Sequence, residues 1–391
     1  MRIAFVHQNM PGQFGRLARA LAADPANEVV FVTRRGDAAI EGVRSVAYAP
    51  HRGPAEGVHH YLRTVEDAVL HGQAVVRAFE GLARTGFTPD LIIAHPAWGE
   101  AMFLKDVFPT VPLACYAELY ATPGDAPLDV RLHRRVQNAP QLISLEACDI
   151  AWSPTRWQRA SFPAAIRDKI EVVFDGVNLA EVRPDPQAHF SLPSGRVLSA
   201  GDPVVTYVAR GLEAQRGFPQ FARALPQLLA RRPDAQVVIA GEDRCFYSPP
   251  PNEGQTWREA MAAEVGFDPE RVHFAGWLGR GDYLSLLQVS AVHAYLTAPF
   301  TLSWSFFDAM AAGCLVVGSQ TPPVLEVLEP GVNGLGVALD DPAALAAALA
   351  QALEHPDAPA LRAAARATIA AGYDAQSCVA RQIEILRRVA G

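Results

Sequence analysis

The sequence predicts an α/β protein built from two Rossmann-like, doubly wound domains that face each other across a cleft. Short β-branched or apolar runs recur along the chain, each followed by a stretch of helical periodicity, and that alternation builds parallel sheets with helices on both faces. The runs fall into two series, and 391 residues exceed what one ordinary core organises.

The first series is Ile3–His7, Glu28–Thr33, Leu91–His95, Pro112–Tyr116, Asp149–Ser153 and Glu171–Phe174. Between its first two members Phe14, Leu17, Ala18 and Leu21 fall at i, i+3, i+4 and i+7, one face of a helix. The second series is Val204–Ala209, Gln236–Gly241, Arg271–Gly276, Val292–Leu296 and Cys314–Ser319. Between the series, from Asn178 to Pro203, prolines and polar residues interrupt both periodicities and mark the join. The expected division is a first domain over 1–185, a second over 200–372 and a last helix over 373–391. That helix has no strand after it, so it packs on its own domain or crosses back to the first.

Bulk properties exclude several classes. Hydrophobic residues at 50% and charged residues at 19% describe a folded globular chain. A net charge of -7 argues against a general nucleic-acid binder, which needs a clustered positive field. The apolar stretch at the start is shorter than a secretory signal and no run is long enough to span a membrane, so a cytoplasmic protein is expected. Five scattered cysteines with no paired spacing fit reduced, buried thiols.

In doubly wound sheets ligands bind beyond the carboxyl ends of the strands. After Val204–Ala209 come Arg210, Arg216 and Gly217. Two guanidinium groups at one glycine-containing loop suit a diphosphate, which accepts bidentate bonds; pairing with Glu213 is the competing reading. In "APFTLSWSFFDAMAAGC" a helix starts near Ser303, and the amides of Leu302, Ser303 and Trp304 would be free donors at its positive end. Asp308 lies further along that helix, enclosed by apolar residues, where it could receive two ribose hydroxyls. In the first domain Gly12 permits close backbone approach of a sugar or phosphate. His95 and Glu118, each at a strand end, either orient an acceptor, assist proton transfer or are hydrogen-bonded locally. Arg131, Arg134 and Arg135 lie on one helical segment, which meets an anionic or lipid-linked acceptor at a membrane surface or is a solvated face.

No HExxH, GxxxxGK[ST], CxxC, GxSxG or Asp-x-Asp occurs. What remains is a phosphate site without metal or cofactor, made from arginines and a helix terminus.

The segments "YVARGLEAQRGF", "RVHFAGWL", "YLTAPFTLSWSFFDAMAAGCLVVGS", "PPVLEVLEPGVNGL" and "VVFDGVN" resemble family 4 glycosyltransferases of the GT-B fold over essentially the whole chain. "HQNMPGQF" and "SPTRWQRASFP" resemble one bacterial branch. The resemblance implies a retaining transfer of sugar from a nucleotide-diphosphate sugar of the UDP or GDP type to a hydroxyl acceptor, without a metal. Where the family carries a glutamate, seven residues and a second glutamate, this chain has Phe300 and Asp308. Ribose binding is thereby implied for Asp308, and a direct carboxylate contact to the donor sugar is lost at Phe300. Arg210 and Arg216 match the phosphate-loop cations, and the backbone of Trp277 matches a nucleobase contact. The expected donor set is completed by Glu242, Thr301, Leu302 and Ser303. Two other readings stay open: a weakened nucleotide-binding partner of another transferase, for which Phe300 speaks, and a nucleotide-sugar epimerase.

Overall fold

The structure, a computed structural model, describes residues 1–390. The chain forms two compact units, and the second is inserted into the first. Residues 1–176 and the helix Ala375–Ala390 make the first unit, and Val177–Asp374 make the second.

The first unit carries β1 (Arg2–Val6), β2 (Glu28–Thr33), β3 (Val43–Ala47), β4 (Leu91–Ala94), β5 (Leu113–Tyr116), β6 (Ile150–Ser153) and β7 (Ile170–Val172). They form one parallel sheet in the order β3-β2-β1-β4-β5-β6-β7. The strand order reverses between β1 and β4, the position where doubly wound sheets open a crevice. β4 and β5 are buried throughout, as their unbroken apolar runs require when helices cover both faces. Of the expected helix face, Leu17 and Ala18 are buried on the helix Gly15–Ala22 and Phe14 on the short 3₁₀ turn before it, while Leu21 is half-buried.

The second unit begins with an antiparallel hairpin, β8 (His189–Ser191) and β9 (Val197–Ser199). Its parallel sheet comprises β10 (Val204–Gly211), β11 (Gln236–Glu242), β12 (Val272–Gly276), β13 (Val292–Tyr295), β14 (Leu315–Ser319) and β15 (Leu335–Val337). The order β12-β11-β10-β13-β14-β15 places its reversal between β10 and β13. Phe218, Phe221, Leu225 and Leu228 of the helix Phe218–Arg231 pack on this sheet, all essentially inaccessible.

Three features differ from the sequence-based expectation. Strands β3 and β15 lie at sheet edges, where one neighbour suffices and no continuous apolar run is needed; β3 has no buried residue. The polar stretch 178–203 is structured within the second unit: Phe190 and Leu198 of its hairpin pack with Val204, Val238 and Leu286. The last helix belongs to the first unit, lying on the helix Gly15–Ala22 and β6 and burying Cys378, Ile385 and Leu386. There Gln382 Nε2 donates to the Phe174 carbonyl at 3.2 Å, and Arg388 pairs with Glu171.

Candidate active site

At the crevice of the second unit, β10 delivers Arg210, and the 3₁₀ turn Ala214–Arg216 that follows ends in Arg216. Arg216 is 6% exposed. Its Nη1 donates to the Thr301 carbonyl at 2.8 Å and Thr297 Oγ1 at 3.3 Å, which ties the β10 loop to the loop after β13. Nε and Nη2 of Arg216 have no protein acceptor among the described residues, so one edge of the fork remains to be used. Gly217 has φ +69, and a Cβ there would lie 2.5 Å from Leu296 Cβ, so this turn admits only glycine without rearrangement. Arg210 is exposed; its guanidinium lies over the Phe246 ring at 4.1 Å, and Nη1 donates to Tyr247 Oη at 3.4 Å.

Glu213 pairs with neither arginine. It is fully buried, and its Oε2 accepts from the backbone amides of Phe246, Tyr247 and Ser248 at 3.1, 2.8 and 2.9 Å and from Ser248 Oγ at 3.1 Å. The carboxylate thereby pins the loop that carries Phe246 and Tyr247. Gly211 allows the close approach, since a Cβ there would sit 2.3 Å from the Arg244 carbonyl. Tyr247 then meets Phe300, ring centroids 5.0 Å apart, and both rings lie against the Arg216 guanidinium at 5.4 and 5.1 Å.

Beside this group the ends of β11 and β12 line a cavity of about 320 Å³ with Gly241, Glu242, Arg244, Arg258, Phe274 and Trp277. Trp277 is 67% exposed, and Glu242 pairs with Arg244 at 2.8 Å. Arg244 also lies over Phe246 at 4.4 Å, which joins the cavity to the arginine group.

The helix Trp304–Ala312 departs from expectation in two respects. The Ser303 amide is not open to a ligand, because it donates to Tyr295 Oη at 2.9 Å. Leu302 is buried beside it. Asp308 is buried, and its Oδ2 accepts from Arg280 Nη1 and Tyr283 Oη, both at 3.0 Å, while Arg280 also grips Glu181. That oxygen is committed within the unit, where two oxygens turned toward a ribose were expected. Burial first, and then the Asp308 charge, hold the Tyr283 phenol well above its usual range, so it stays a donor.

The first unit gathers a different set at its own crevice. His7 follows β1 and His95 follows β4, their rings 5.1 Å apart. His7 Nδ1 accepts from the Asn9 amide at 2.8 Å, which places the proton on Nε2, and Nε2 donates to Gln13 Oε1 at 3.0 Å. Gln13 Nε2 donates in turn to Glu118 Oε1 at 3.1 Å. His95 Nδ1 accepts from the Ala97 amide at 3.3 Å, and its Nε2 faces Glu118 Oε2 at 3.4 Å. Glu118 thus accepts from Gln13 and lies beside His95, and its side chain retains 30% exposure. Burial, reinforced by His95, pushes the His7 pKa well below the usual value, so His7 acts as a neutral link. The space that Gly12 leaves is occupied by the His7 ring, 3.0 Å from where a Cβ would be.

Sequence reasoning passed over Glu100, which is buried and accepts from the Gln8 amide and Tyr48 Oη at 3.1 and 3.0 Å. Burial raises its pKa. Its one local signal is the preceding Gly99, with φ +94 and a Cβ that would lie 2.1 Å from the Ala68 carbonyl. Of the segment with three arginines, the helix Leu128–Gln137 buries no residue; Arg134 donates to the carbonyls of Thr122 and Pro123, while Arg131 and Arg135 are exposed.

Two doubly wound units, one with paired guanidinium groups beside a cavity at its crevice, define a two-domain enzyme of the GT-B kind. Solved structures share this fold along the chain. Sucrose-phosphate synthase from Thermosynechococcus elongatus superposes with a TM-score of 0.73 at 17% identity, covering 100% of this chain and 99% of that one. HepE of Anabaena, solved with UDP and glucose, gives 0.71 at 17% identity over 99% and 100%. Residues 25–182 match the glycosyl transferase family 4 group and residues 202–355 the glycosyl transferases group 1, together more than three quarters of the chain. An uncharacterized glycosyltransferase of Methanocaldococcus jannaschii is 28% identical over 46% of this chain and 43% of its own length. A phosphatidyl-myo-inositol mannosyltransferase of Propionibacterium freudenreichii is 27% identical over 83% of this chain and 80% of its own. The chain belongs to the family 4 glycosyltransferases.

The Glu213 anchor makes a direct prediction. Glu213→Ala leaves three amides without their acceptor and lowers stability by about 2–3 kcal/mol, read from chemical denaturation. Limited proteolysis then cuts within residues 243–256. Unchanged stability together with an intact loop would contradict the anchoring role.

Proposed function

We propose that this nucleotide-sugar glycosyltransferase is a retaining enzyme that works without a bound metal and uses a UDP- or GDP-type donor. The observation that carries the reading is the arginine pair at the second crevice, with Arg216 fixed by one nitrogen and its other edge left over. Anchoring one nitrogen orients the fork before a ligand arrives, and a preorganised cation stabilises developing charge at little reorganisation cost. The adjoining cavity, with Glu242 and Trp277 on its wall, suits the base and ribose.

In this reading the acceptor oxygen attacks the anomeric carbon on the face that the diphosphate leaves. The bond from carbon to the departing oxygen breaks, that oxygen takes the acceptor proton, and Arg210 and Arg216 balance the charge. Little protein acid–base chemistry is then required, so an aromatic residue at position 300 is compatible with turnover. Glu118, flanked by Gln13 and His95, supplies an acceptor-side carboxylate that orients the incoming hydroxyl.

A stripe on the helix Leu128–Gln137 supports a further part of this reading, peripheral contact with an anionic membrane surface. Leu128, Arg131, Leu132 and Arg135 recur at i, i+3, i+4 and i+7, and all are exposed, Leu128 at 65% and Leu132 at 50%. Apolar side chains among cations are what an interfacial helix presents to acidic headgroups. No helix of the described residues is long and apolar enough to cross a membrane.

Three measurements test these statements. Arg210→Ala and Arg216→Lys are expected to lower turnover by about 10²–10³ and weaken nucleoside-diphosphate affinity; wild-type affinity in both sinks the phosphate assignment. Chelator is expected to leave turnover unchanged and proton NMR to show a retained anomeric configuration, with donor hydrolysis in the absence of acceptor separating a transferase from a mere binder. Sedimentation with phosphatidylglycerol vesicles, but not phosphatidylcholine vesicles, should carry the protein down, and Leu128→Asp with Leu132→Asp should abolish it; equal sedimentation of this variant removes the membrane reading.

A further inference from the structure

Tyr247 is a large ring left 42% exposed on a backbone that is held unusually firmly. A residue whose amide is bonded to a buried carboxylate cannot drift with its loop, so its exposed ring is presented in a set position. Phe300 meets it at a 49° tilt, and the Arg216 guanidinium lies over both rings, 5.4 and 5.1 Å from their centroids. Tyr247 Oη accepts from Arg210, and Phe300 has no polar atom. The surface beside the phosphate-binding edge of Arg216 is therefore mostly aromatic face.

We propose that Tyr247 and Phe300 form the seat of the transferred sugar, and that they select a sugar turning C–H bonds, a deoxy carbon or an acetyl methyl toward the rings. The proposal rests on the arginine reading above. A sugar joined to a phosphate on Arg216 is one C–O bond from that phosphate, so it meets the side chains that cover Arg216. Those side chains offer the negative faces of π systems, against which weakly positive C–H groups sit favourably. A hydroxyl placed on Phe300 gives up its bond to water and receives nothing in return, so full hydroxylation at that point is disfavoured. The apolar ring of Phe300 thus bears on which sugar is preferred, while the arginines hold the diphosphate.

The test is calorimetric titration of the full chain with UDP, GDP and their conjugates to glucose, N-acetylglucosamine, mannose and the 6-deoxyhexose fucose. In wild type, an acetylated or deoxy conjugate is expected to bind more tightly than its hydroxylated counterpart. Phe300→Leu and Tyr247→Ala should weaken that conjugate by about three- to tenfold while leaving the nucleoside diphosphate within about twofold. Phe300→Glu should shift preference toward the hydroxylated conjugate. If ring variants weaken diphosphate and conjugate equally, the rings only brace Arg216 and the seat is refuted; if no variant changes the ranking of sugars, the selection is refuted. Absence of any nucleoside-diphosphate binding by wild type overturns the arginine reading itself, a different result from either of these.

Discussion

One buried carboxylate organises the second crevice. Glu213 has no access to solvent, and a charge in that position is tolerable only when hydrogen bonds replace the lost hydration. Three consecutive amides and a hydroxyl, more than thirty residues away in sequence, provide them at Oε2, while Oε1 is buried without a partner among the described residues. Everything beyond follows from this attachment. The pinned loop delivers Phe246 beneath Arg210 and Arg244, and Tyr247 beside Phe300, so that Arg210 and Arg216 are both held against aromatic surfaces.

The two crevices share a plan and differ in chemistry. Each lies where strand order reverses, between β1 and β4 in one unit and between β10 and β13 in the other. In the first unit the groups there are two imidazoles and an amide beside one partly exposed carboxylate. In the second they are guanidinium groups on aromatic rings. A chain of hydrogen bonds fixes orientation at the first crevice, whereas fixed cations supply field at the second.

Much of the fold is legible in the chain because parallel strands buried on both faces must be written as unbroken β-branched runs, and Val29–Thr33 or Val237–Gly241 cannot be mistaken for anything else. Strands β3 and β15 escape that rule because an edge strand answers to one neighbour. The arginine pair is legible from its place after a strand. What the sequence does not disclose are partnerships made across long separations: Asp308 with Arg280, Gln13 between His7 and Glu118, and Glu213 with residues 246–248. Local context offers Arg210 and Arg216 as the natural partners of Glu213, and only the folded chain shows that the carboxylate serves backbone amides.

The way the last helix returns has an evolutionary meaning. The second unit starts at Val177 and ends at Asp374, and these ends lie side by side, with the Val177 amide donating to the Tyr373 carbonyl at 2.7 Å. A segment that enters and leaves at one point can be replaced as a cassette without rerouting the host chain. The second unit is thus a cassette bounded at residues 176 and 375, one that recombination exchanges while the first unit keeps its sheet and its last helix.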